Sequence, residues 1–198
     1  AMRENQLRYN DWRVSRARLV EKAGQGRIGY VHLRAMGGND IADFASGAGA
    51  PADGDEKPVT RFLKALALHP KPLIAAVEGV AVGVGVTMLL HCDFVVAAEG
   101  ARLQAPFVNL GLVPEAASSL LLPRIAGHQI AAEIMMFAEK FGPHEGKAAG
   151  FVNRVVPEGQ AESAALAAAK AIAAKPPEAV RLAKALLRGD PAERLARM

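Results

Sequence analysis

Cysteine is almost missing from this chain. Cys92 is the single one among 198 residues, which excludes an internal disulfide and fits a reducing compartment. Aromatic side chains are scarce too, at 5% against 51% hydrophobic residues in all. The core of one soluble α/β domain must therefore be built from Ala, Val, Leu and Ile. No apolar run approaches the roughly 20 residues of a membrane span, because Gly, Glu, His or Asp interrupts each of the longest ones. No charged-then-apolar leader opens the chain, and the expectation is a cytoplasmic protein with no membrane partner.

Excess charge is lacking outside one segment. Residues 1–38 hold eight Lys or Arg against three Asp or Glu, a net of +5, while the other 160 carry 16 and 17, a net of −1. The overall basicity thus belongs to the opening segment. That segment has no aromatic interleaving and no recognition motif, so an amphipathic helix with solvated arginines is expected in place of a nucleic-acid partner.

Several site signatures are absent as well. The glycine turn at Gly79, Gly83 and Gly85 fits neither GxGxxG nor a phosphate loop ending in Lys-Ser/Thr, which argues against dinucleotide or nucleoside triphosphate chemistry at that turn. Ser118-Ser119 has no GxSxG elbow and no paired base. His91-Cys92-Asp93 has poor ligand spacing and no second cluster, so structural roles are expected there and no metal. His128 and His144 stand where helices start and read as surface or capping residues.

What is present centres on Pro72 to Asp93, PLIAAVEGVAVGVGVTMLLHCD. An apolar run breaks at Gly79, Gly83 and Gly85, and an apolar run with helical spacing follows, which predicts strand, tight turn and buried helix. Such a turn points free backbone N–H groups and the positive end of a helix dipole at whatever lies in front. An oxyanion suits that position, and glycine lets main chain approach a ligand closely. The same pattern also serves phosphate sites and plain turns.

Around this centre the periodicity predicts helices at Leu7–Lys22, Val59–Leu68, Ala116–Leu122, Gln129–Phe137, His144–Ala149, Glu162–Ala174 and Pro177–Leu187, with a short one starting at Ile41–Phe44. Strands are expected at Arg27–Leu33, Phe94–Ala98, Arg102–Gln104 and Phe151–Val155. Ser46–Asp55 and Pro106–Pro114 read as loops. Arg181, Lys184 and Arg188 form a basic helical stripe that is expected to be a solvated face, with contact to phosphates as the other reading.

Four segments together carry a resemblance: GGNDIADF at Gly37–Phe44, KPLIAAVEGVAVGVGVTMLLHCDFVVAAEGARL at Lys71–Leu103, PFVNLGLVPEAASSLLLPRIAG at Pro106–Gly127, and KAAGFVNRVVP at Lys147–Pro157. Each stands in order and at family-like spacing. From about residue 39 to 189 the chain resembles the enoyl-CoA hydratase/isomerase (crotonase) family. The resemblance implies an α/β fold of the ClpP/crotonase type, a spiral of ββα units with a helical C-terminal region. It implies an acyl-CoA thioester as partner, CoA being part of the substrate with no separate cofactor. It also implies a homo-oligomer, a trimer or a pair of trimers.

Carried over by position, the two amides that hold the thioester oxygen fall on Asn39 and Val84, the latter where the family usually has a third glycine. Gly37, Gly38, Asp40, Gly83, Phe107 and Leu110 are expected to line the substrate site. Hydratases of the family use two glutamates, and the matching positions here are Thr87 and Phe107, neither able to exchange a proton near neutral pH. Glu115 in LGLVPEAASS resembles instead the single glutamate of peroxisomal-style delta-3,delta-2-enoyl-CoA isomerases. In that reading Glu115 moves a proton from C2 to C4 while the amides hold the dienolate oxygen. An apolar surround of Phe107, Leu110, Leu112 and Val113 would raise its pKa. A carboxylate in a helix first turn after Pro114 is the plain alternative.

Both ends depart from the family. Tyr9–Ala42 resembles a segment of tricorn-type C-terminal-processing serine peptidases, and the overlap at GGNDIA suggests a junction of two unrelated segments. The expected organisation is an atypical basic segment at 1–38 and a crotonase-like domain at 39–198, short at its end. A catalytically silent fold or assembly module is the alternative from another class, and hydratase activity a lesser one.

Overall fold

A computed structural model describes residues 58–198. The glycine-flanked segment after Pro72 makes two strands, β1 (Ile74–Val77) and β2 (Val80–Val82). A short helix α2 (Val84–Thr87) follows and tightens into a 3₁₀ turn, Met88–His91. The pattern repeats in β3 (Phe94–Ala98) and β4 (Arg102–Gln104), a second 3₁₀ turn at Val108–Leu110, and helix α3 (Ser118–Ala126). Among the described residues the first strands of both units and β5 (Arg154–Val156) form one parallel sheet, ordered β1-β3-β5. The second strands form another, β2-β4, also parallel. This is the expected ββα repeat.

Register follows burial. Ile74 lies opposite Phe94 and Val77 opposite Ala97, while Val96 to Ala98 face Arg154 to Val156. In β3 every residue from Val95 to Ala98 is buried, as expected of a central parallel strand covered on both faces. The main core gathers Val86, Leu89, Val95, Leu103, Leu122 and Phe151, with Phe141 and Phe151 meeting edge to face at a centroid distance of 6.2 Å. A second cluster sets Phe62, Leu63 and Leu66 of α1 (Pro58–Leu68) against Leu73 and Ala116.

The rest of the chain is helical: α4 (His128–Ala132), a π-helical turn at Glu133–Phe137, α5 (Pro143–Ala148), α6 (Ala161–Ala173), α7 (Pro177–Arg188) and α8 (Pro191–Leu195). Helix α6 buries Ala161, Ala165, Ala169 and Ala173, a stripe at every fourth residue. It lies against β1 and β3, with Ile74, Leu166 and Ile172 packed beside that stripe. Glu78, just past β1, accepts hydrogen bonds from the N–H groups of Gly159 (3.0 Å) and Ala161 (2.6 Å). A carboxylate thus meets the open amides where α6 begins.

The segments expected at Leu7–Lys22, Arg27–Leu33, Ile41–Phe44 and Ser46–Asp55 lie outside the described residues, as do Gly37, Gly38, Asn39 and Asp40. Strand β2 was not anticipated, because three residues between glycines read locally as turn. Helix α3 starts two residues later than expected, since Ala116 and Ala117 both take the left-handed conformation, φ 55° and 54°.

The stripe on α7 corrects an expectation. Arg181 is exposed and pairs with Glu178 on its own helix, but Lys184 is buried. Its ammonium donates to Asp93 Oδ2 at 2.6 Å and to the Lys71 carbonyl. Arg188 Nε lies 3.6 Å from Asp93 Oδ1. Asp93 Oδ2 also accepts the Leu73 N–H at 2.7 Å, so one carboxylate joins α7 to the start of the central sheet. Burial, and next the charge of Arg188, hold the Lys184 ammonium below its usual pKa range against the pull of Asp93.

Candidate active site

The turn ahead of α2 depends on Gly83, whose φ of 58° and ψ of −118° place it where side chains are strongly disfavoured. Its N–H donates to the Gln104 carbonyl at 2.9 Å, and its own carbonyl accepts from Val86 and Thr87. Val84 is therefore the first residue of a helix, and its N–H has no intrahelical acceptor. The amide expected to hold a thioester oxygen is thus at an open helix start. A side chain on Gly85 would make only ordinary contact with Ala81, so its close approach to the neighbouring strand is not obligatory.

Thr87, one turn on, is fully buried. Its hydroxyl donates to Glu115 Oε1 at 2.7 Å, and it also lies 3.4 Å from the Val84 carbonyl. The two positions, 28 residues apart, are thereby brought to the same helical turn. Burial pushes the Glu115 carboxyl above the usual carboxylate range, with the Thr87 hydroxyl pulling the other way. The plain helix-first-turn reading of Glu115 does not describe this arrangement, since α3 begins three residues later and the carboxyl is turned to Thr87.

The backbone at Glu115 is also held. Its carbonyl accepts from the Ser118 hydroxyl at 2.6 Å and from the Ser118 N–H at 3.0 Å. The next carbonyl, that of Ala116, accepts from His91 Nε2 at 2.7 Å. Two consecutive left-handed alanines cost about 1–2 kcal/mol each, and a buried hydrogen bond returns about 1 kcal/mol. These bonds are of the size needed to hold the turn. Neither His91 nor Ser118 was expected to touch the Glu115 segment, and local pattern carries no signal for contacts across 25 residues.

Phe107, expected to line the substrate site, is buried in the main core. Leu110, Leu112 and Val113 are not: they are 68%, 56% and 82% exposed. The expected apolar surround of Glu115 is corrected to that extent, because the 3₁₀ turn and the left-handed Gly111 carry this loop outward. His128 and His144 are exposed at helix starts, as anticipated. Burial raises the Cys92 thiol to about 12, so it is no thiolate nucleophile. Among the described residues no three His, Cys, Asp or Glu side chains gather into a metal-ligating group.

A family model described as enoyl-CoA hydratase/isomerase matches residues 35–197. The chain belongs to the enoyl-CoA hydratase/isomerase family. Enoyl-CoA delta isomerase 2 of Rattus norvegicus is 37% identical over 161 residues, covering 80% of this chain and 41% of that protein. The 2,3-dehydroadipyl-CoA hydratase of Escherichia coli strain K12 is 34% identical over 151 residues, 76% of this chain and 58% of that one. Among solved structures, an enoyl-CoA hydratase/isomerase from Pseudoalteromonas atlantica T6c superposes with a TM-score of 0.74 at 35% identity, covering 92% of this chain and 74% of that one. The crotonase-type fold is thereby shown. This chain spans about half the length of the curated relatives it matches. The family match overlaps Tyr9–Ala42 only from residue 35, and these relatives lend no support to the peptidase-like reading of that stretch.

Proposed function

We propose that this chain shifts a double bond in an unsaturated acyl-CoA thioester, with Glu115 carrying the proton. The carboxylate of Glu115 takes a proton from C2 of a 3-enoyl-CoA. The electron pair moves into a dienolate whose oxygen lies against the amides of Asn39 and Val84, and the Glu115 acid then delivers the proton to C4. The product is a 2-enoyl-CoA, and no water or cofactor is consumed. Gly37, Gly38, Asp40, Gly83, Phe107 and Leu110 are assigned to the walls of the thioester site.

One observation supports this reading above the others: a half-buried glutamate of raised pKa, bonded by Thr87 to the helical turn that Val84 opens. A hydratase route with two carboxylates lacks both of them here, since Thr87 and Phe107 stand at the positions where the resemblance places the glutamates. The rat relative is by name an isomerase, in line with a single base. Homo-oligomeric assembly, as a trimer or a pair of trimers, is part of the same proposal. No helix among the described residues is long and apolar enough to cross a membrane.

The test is Glu115→Gln, assayed with 3-enoyl-CoA by the absorbance of the conjugated product. Loss of a general base should lower kcat by about 10²–10⁴-fold. Undiminished isomerisation in the folded variant overturns the assignment, and water addition to a 2-enoyl-CoA by the parent protein replaces the isomerase reading with a hydratase one.

A further inference from the structure

We infer that His91 is a positioning residue for Glu115, acting through the Ala116 carbonyl; this rests on the reading of Glu115 as the base. His91 ends the 3₁₀ turn after α2 and is 1% exposed. Its Nε2 stands 2.7 Å from the Ala116 carbonyl. A carbonyl has no proton to give, so Nε2 must carry the hydrogen and the ring is the Nε2–H tautomer. Burial is the main cause that keeps this imidazole neutral, with its pKa near 4. Nδ1 is buried with no hydrogen-bond partner among the described residues.

A leucine would fill similar space without leaving a buried nitrogen unmatched, so the cost of that nitrogen must be set against what the other one does. The other holds the peptide that directly follows Glu115. Ala116 and Ala117 are consecutive left-handed alanines, and both are buried. Such a turn relaxes by rotating the peptide between them, which would swing the Ala116 carbonyl away and drag the Glu115 side chain off Thr87. The His91 N–H opposes that rotation. Ser118 fixes the Glu115 carbonyl and Thr87 its carboxyl, so His91 supplies the remaining restraint on the far side of the residue.

The test compares three variants of the full chain, His91→Leu, His91→Gln and His91→Asn, assayed with 3-enoyl-CoA. Glutamine puts an amide N–H near the Nε2 position, whereas asparagine reaches only as far as Nδ1. His91→Leu should lower kcat by about 10–100-fold, as expected for a displaced base, with KM within about twofold of the parent. His91→Gln should recover most of that loss and His91→Asn little of it. In a Glu115→Gln background, His91→Leu should lower kcat no further. A folded His91→Leu protein with parental kcat overturns the inference. So do equal rates for the glutamine and asparagine variants, a comparison that decides the matter even where leucine prevents folding. An active Glu115→Gln protein removes the base assignment itself, whereas an inactive one beside an unaffected His91→Leu removes this inference alone.

Discussion

Glu115 and Asp93 are two carboxylates of the same domain placed in opposite surroundings. Asp93 meets the Lys184 ammonium, the Arg188 guanidinium and the Leu73 amide. Glu115 meets one neutral hydroxyl, and burial raises its pKa. Cations and an amide fix a carboxylate as an anchor between elements. A neutral hydroxyl and burial leave it without a counter-charge, its pKa above the usual carboxylate range. On the proposed reading of Glu115 as the base, the fold separates adhesion from chemistry by choosing the partners of two chemically equivalent groups.

The contrast can be broken most directly by exchanging the readouts. Glu115→Gln should remove turnover while leaving chemical denaturation close to the parent. Asp93→Ala should do the reverse, lowering stability by about 3 kcal/mol because the buried Lys184 loses its counter-charge. Equal denaturation midpoints for parent and Asp93→Ala would mean that the anchor is dispensable. A subtler change is Thr87→Val, which removes the hydroxyl that lowers the Glu115 pKa. With only burial left, that pKa rises further. The acid limb of the kcat/KM profile should then move to higher pH, since the base must be ionised to act. A limb that stays in place, or moves down, would show that Thr87 does not tune the carboxyl. The smallest effect is expected for Ala117→Gly, which relieves a left-handed alanine. The gain should be roughly 0.5 kcal/mol, because glycine's greater freedom in the unfolded chain offsets part of the relief. A loss of stability there would show that the turn is not strained.

Much of this arrangement was legible in the residues. The strands Phe94–Ala98 and Arg102–Gln104 fall where they are expected, and α6 and α7 lie within one residue of expectation. The helix start at Val84 follows from the glycines, and Glu115 is singled out by the resemblance of LGLVPEAASS to the family's isomerases. What could not be read was who meets whom. Lys184 repeats with helical period beside Arg181 and Arg188, and such a stripe reads as solvated until Asp93 arrives from 91 residues upstream. Thr87 is an ordinary helix residue until the loop folds back and gives it Glu115. His91 looked like part of a short polar cluster, yet its partner is a backbone carbonyl, which has no signature in side-chain pattern at all.

The alanine stripe of α6 has its own consequence. Where these four alanines face the sheet the helix can approach it closely, and larger side chains there would push the two apart. Saturation mutagenesis of residues 161–173 should therefore print a four-beat barcode, silent at the outward positions and dark wherever an alanine touches β1 or β3.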